Sequence, residues 1–119
     1  MIEQNTAHSH LFEVGDHNFE TKVLTREAPV IVDFSADWCP PCRAIAPVYD
    51  ALSDAYEGKL LFAKMDTEAH PLTAARLGVQ ALPTFVLFKG GKVIGRLLGP
   101  RPGRLKHEID RILAENGIA

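Results

Sequence analysis

Val30-Ile31-Val32-Asp33-Phe34-Ser35-Ala36-Asp37-Trp38-Cys39-Pro40-Pro41-Cys42 opens as a strand and closes as the start of a helix. Its first five residues are nearly all apolar, and three of them, Val30, Ile31 and Val32, are β-branched. Such a run suits a strand buried on both faces, in a sheet covered by helices. Downstream, Ile45, Val48, Leu52 and Tyr56 recur at helical spacing, with Gly58 as a stop. Pro47 lies inside that helix and should kink it. Upstream, Leu11, Phe12 and Val14 predict a short first strand. Asp16 offers an N-cap oxygen for a helix through Phe19, Val23 and Leu24, which Ala28-Pro29 ends. Beyond the central helix, Leu60 to Met65 reads as a strand, and His70-Pro71 opens a short helix closed by Gly78. Thr84 to Phe88 and Val93 to Leu98 flank Gly90-Gly91, which predicts an antiparallel hairpin. Leu105, Ile109, Ile112 and Leu113 form one stripe of a last helix ending near Gly117. The order β-α-β-α-β-α-β-β-α implies a three-layer α/β domain, with a mixed five-stranded sheet flanked by four helices.

The chain has 119 residues, 46% hydrophobic and 24% charged, enough for one domain over residues 11–119. Residues 1–10 are polar and read as a flexible N-terminal tail. A formal charge of −2 argues against nucleic acid as a partner, because displacing phosphate counterions needs a positive excess. No apolar run is long enough for a membrane span. The N-terminus lacks a basic start and an apolar segment, so the reading expects no secretory leader and a cytoplasmic setting. No large apolar stripe calls for a dimer, and a monomer is expected.

The only cysteines are Cys39 and Cys42. A single pair cannot make a four-thiolate zinc site. His8, His10, His17, His70 and His107 are all distant from it in sequence. His8-x-His10 lacks a third ligand nearby and reads as a tail feature. In a reducing compartment a lone C-x-x-C points to catalysis. At a helix start, Cys39 meets unpaired N–H groups and the positive end of the helix dipole. Both favour the thiolate, and Arg43 adds a positive charge. Cys39 is therefore the expected nucleophile. Cys42, one turn on and deeper, is the resolving sulfur. Pro40 and Pro41 suit the first turn, where a missing N–H costs little.

Val32-Asp33-Phe34, Trp38 to Cys42, Pro47, Lys64, Leu82-Pro83-Thr84, Phe88 to Gly91 and Gly99 together resemble the thioredoxin family over residues 11–117. The resemblance implies the thioredoxin fold and a protein-disulfide reductase cycling between dithiol and disulfide. It implies no bound cofactor and no metal. Expected partners are disulfide-containing client proteins and a flavin-dependent, NADPH-linked thioredoxin reductase. Asp33, a carboxylate in an apolar strand, should have a raised pKa and exchange a proton with Cys42. Lys64 matches the lysine that approaches this aspartate. Pro83 matches the family's cis-proline facing the cysteines, and Leu82 the position that pairs with extended substrate. Trp38 matches a surface tryptophan. With Pro40, Pro41, Ala81, Leu82, Gly99 and Pro100 it would form an apolar apron around Cys39.

Three features depart from the common pattern. Pro40 replaces a glycine, which bears on redox poise. Ser35 stands where bacterial members often carry tryptophan. The loop Gly99-Pro100-Arg101-Pro102-Gly103-Arg104 is rich in arginine, and Arg101 offers no oxygen to cap the last helix. That loop is either a solvated basic turn or a patch selecting acidic partners. An oxidase or isomerase is the alternative chemistry, disfavoured because Pro41 stands where those relatives often have histidine. A redox-independent scaffold is the other alternative, and it would not need both sulfurs.

Overall fold

A computed structural model describes residues 10–118. The expected tail lies outside them apart from His10. Five strands form one sheet: β1 (Leu11–Glu13), β2 (Val30–Ser35), β3 (Leu61–Asp66), β4 (Thr84–Lys89) and β5 (Lys92–Leu98). Their order is β1-β3-β2-β4-β5. β3 runs parallel to both β1 and β2, while β4 is antiparallel to β2 and β5. The hairpin β4–β5 carries a register irregularity at Leu87/Phe88. The long helices are α1 (Pro40–Ala55) and α3 (Leu105–Glu115), and α2 (Pro71–Arg76) is short.

Strand periodicity sorts the core into two faces. Ile31, Phe62, Phe85 and Leu87 pack with Ile45 and Tyr49 of α1 and Leu105, Ile109, Ile112 and Leu113 of α3. Val30, Val32, Phe34, Ala63 and Val86 pack on the other side with Phe19, Val23 and Ala74. The three layers are thus helices, sheet and helices. Tyr49 ties the layers together, with its hydroxyl 2.7 Å from the Ala63 carbonyl and 3.1 Å from that of Ile31.

The first helix differs from expectation. Glu20–Leu24 is a π-wound turn, with the Thr25 N–H donating to the Glu20 carbonyl at 3.0 Å. Asp16 does not cap it. Its carboxylate instead accepts from the N–H groups of Leu72 (3.0 Å) and Thr73 (2.8 Å), at the start of α2. Pro71 and His70 leave that helix without a local cap, so a distant oxygen supplies it. Pro47 sits inside α1, which continues through it from Pro40 to Ala55. A three-residue 3₁₀ turn, Pro102–Arg104, leads into α3, and Arg101 gives it no side-chain cap.

Strand parity also aims the polar residues. Asp33 shares a face with Ile31, under α1, and lies beside Lys64 in the β2–β3 register. The chain leaving β2 enters α1 at Cys39, and β4 begins just after Pro83. Both lie at the same end of the sheet, with β3 on one side of β2 and β4 on the other.

Candidate active site

Cys39 is the N-cap of α1, with extended backbone (φ −86°, ψ 113°) as the following proline requires. Its Sγ accepts the Cys42 N–H at 3.3 Å. The sulfur therefore occupies the place a serine or aspartate oxygen takes at other helix starts. A negative charge on it is stabilised by that N–H and by the helix dipole. Cys39 and Cys42 are joined as a disulfide, with Cα atoms 5.2 Å apart. Each is 4% exposed. Exposure in the oxidised state thus does not set Cys42 deeper, and the two differ by what they face.

Cys39 Sγ lies 3.8 Å from the Leu82 carbonyl oxygen. Ala36, both cysteines and Leu82 make one small apolar cluster. The Leu82–Pro83 bond is cis. Thr84 Oγ1 donates to the Ala81 carbonyl at 2.6 Å, and the Gly99 N–H donates to the Pro83 carbonyl at 2.9 Å. These bonds lock the loop and the end of β5 beside the sulfurs. Trp38 is 62% exposed, a surface tryptophan. Pro40, Pro41, Ala81 and Gly99 are exposed and Leu82 is half-buried. Pro100 is half-buried and lines a separate groove. Arg43 Nη1 donates to the Asp37 carbonyl at 2.9 Å, which bridges the turn ahead of Cys39.

Cys42 faces inward. It lines a space of about 60 Å³ together with Asp33, Ala46 and Lys64, room for one or two waters. Asp33 is 1% exposed, and its Oδ1 has no hydrogen-bond partner. Burial pushes its carboxyl up to about 7, Lys64 pulls against this, and Asp50 adds to it. Lys64 also borders a polar cleft of about 360 Å³ with Ser35, Asp37, Asp66 and His70. It stands between the Asp33 space and that wider cleft.

Asp50 is the site residue that sequence reasoning missed. Its Oδ1 is buried without a partner. It follows Cys42 by eight residues and Ala46 by four, so all three lie along one face of α1. That spacing from Cys42 was the available signal. His70 is a structural loop residue, whose Nδ1 accepts the Asp16 N–H at 3.2 Å. His10 faces Asp54 and Glu57, and His8 lies outside the described residues. Among the described residues no group of three His, Cys, Asp or Glu side chains could hold a metal ion. Nor is any helix there long and apolar enough to cross a membrane.

A cysteine pair at a helix N-terminus, above a buried carboxylate and against a proline loop, defines a dithiol–disulfide exchange site. The thioredoxin family model matches residues 10–111. A thioredoxin of Synechocystis sp. is 44% identical over 90 residues, covering 76% of this chain and 84% of that protein. A thioredoxin of Chlorobaculum thiosulfatiphilum is 42% identical over 91 residues, with the same coverage. Thioredoxin M4, chloroplastic, of Arabidopsis thaliana is 41% identical over 103 residues, 86% of this chain and 53% of that protein. The chain belongs to the thioredoxin family. It is a thiol-disulfide oxidoreductase of thioredoxin type, a protein-disulfide reductase with a redox-active cysteine pair.

Proposed function

We propose that the chain reduces client disulfides by attack of Cys39 and resolution by Cys42. The Cys39 thiolate attacks one client sulfur, forms a mixed disulfide and expels the other client sulfur as a thiolate. Cys42 gives its proton to the Asp33 carboxylate and attacks Cys39 Sγ. The Cys39–client bond breaks as the Cys39–Cys42 disulfide closes, and the second client sulfur leaves as a thiolate. Two electrons pass from the pair to the client. Lys64 tunes Asp33. Pro83 and Leu82 present a backbone edge to extended substrate. Trp38, Pro40, Pro41, Ala81, Gly99 and Pro100 supply an apolar apron.

One observation carries the assignment: the Cys39 sulfur, not the Cys42 sulfur, receives the helix N-terminal N–H. A flavin-dependent, NADPH-linked reductase would return the pair to the dithiol. Residues 11–119 would act as one domain, monomeric and cytoplasmic, with no metal and no organic cofactor. The test is trapping. Cys42→Ser should accumulate a mixed disulfide with a protein substrate, and Cys39→Ser should neither trap nor turn over. The opposite pattern would reverse the roles.

A further inference from the structure

Arg96 of β5, Arg101 of the following loop, Arg104 of the 3₁₀ turn and Arg111 of α3 line one groove of about 450 Å³, with Leu98 and Pro100. The loop, the 3₁₀ turn and α3 thus bring guanidinium groups to one place, while Arg96 pairs with Val86 on the other face of the sheet and turns its guanidinium to the Leu77 carbonyl. The acid in that lining is Glu108, and it is already engaged, 3.3 Å from Arg104 and 2.9 Å from Arg111. Arg111 also meets Glu115 at 3.0 Å. Among the described residues no carboxylate lies within ion-pair distance of Arg101. The groove therefore carries a positive excess on a chain whose net charge is −2.

The groove adjoins the cysteine loop. Leu98, 69% exposed, pairs with Thr84 across the hairpin, and Thr84 follows Pro83. Gly99 donates to Pro83, and Pro100 is the next residue. A chain lying along Leu82 thus reaches the arginines within a few residues. We propose that this groove docks a carboxylate-rich segment of the client protein, flanking the disulfide that Cys39 attacks. Arg111 is taken up by Glu108 and Glu115, so the cations open to a ligand are Arg101 and, in part, Arg104, whose planar forks take carboxylates in two-point contacts. Leu98 and Pro100 offer apolar surface to side chains between the acids. The inference rests on the dithiol exchange proposed above and adds which clients it favours.

The experiment compares two disulfide peptides that differ only in one flank, a run of Glu and Asp or the same run as Gln and Asn. The second-order rate of each is measured with pre-reduced protein. At low ionic strength the acidic peptide should react faster, on the order of tenfold, and the ratio should fall toward one as salt rises. Arg101→Glu should bring the ratio near one at low salt. Lys22→Glu makes the same charge change on the opposite face of the sheet and should leave the ratio intact. Equal rates for the two peptides at low salt overturn the proposal, as does an equal loss with Lys22→Glu. Loss of the ratio to inorganic phosphate at matched ionic strength also overturns it, in favour of a free anion. If neither peptide is reduced, the dithiol reading itself fails.

Discussion

Asp33 is held between a cation and an anion, Lys64 across the β2–β3 register and Asp50 on α1, in a site burial has already made unfavourable for charge. The two neighbours act in opposite senses. Lys64→Gln should raise the pH at which disulfide exchange gains its Asp33-dependent rate. Asp50→Asn should lower it. A pH–rate profile of each variant checks both signs. Stability follows from the same residue. The unfolded carboxyl titrates near its ordinary value of 3.8, the folded one at about 7. Below the first value both states hold the proton, and the stability linked to it is fully present. As pH rises, the unfolded chain releases the proton first. Stability is lost through the folded pKa, by at most ~4 kcal/mol. Asp33→Asn does not titrate. Urea unfolding should show it gaining on the parent protein between about pH 4 and 7, while its exchange rate near neutrality falls. Asp33 was legible because a carboxylate interrupts an apolar run. Asp50 was not, because an acid on an amphipathic helix reads as solvent-facing.

Elements were legible where periodicity governs them and illegible where one element completes another. The stripe of α3 and the apolar run of β2 are local patterns, and both are buried as their spacing required. Asp16 carries no such pattern. Read locally it should cap the segment that follows, yet its oxygens reach α2 more than fifty residues on. The segment it was expected to cap is wound more widely, through the i→i−5 bond from Thr25 to Glu20. Asp16→Ala should therefore destabilise α2 and not the π-wound turn. The expected cost is ~1 kcal/mol, from two lost cap bonds at a half-exposed site. Asp16→Asn, which keeps an acceptor, should recover part of it. Equilibrium denaturation gives the size, and hydrogen exchange at Leu72 and Thr73 gives the place.

For the whole molecule, the sheet is shared by both apolar clusters, so neither helical layer has a core of its own. One cooperative unfolding transition is expected. The disulfide links residues only three apart and restrains little of the unfolded chain. Reducing it should lower stability by ~2 kcal/mol or less and leave the single transition intact, as denaturation with and without dithiothreitol would show. The overall architecture was open to sequence reasoning because strands and helices alternate. Charge on the surface was half open: the loop at Arg101 and Arg104 stood out, but Arg111 joins it only through the tertiary fold. The sheet's two borders have a bearing on the company this protein keeps. One border is β1, three residues long. The other is β5, which carries Lys92 and Arg96 and a register irregularity between the Leu87–Gly95 and Phe88–Val93 pairs. Short, charged or kinked borders are poor templates for another chain's backbone. The pairing proposed at Leu82 would thus be brief, and neither border of the sheet would seed polymerisation of the clients.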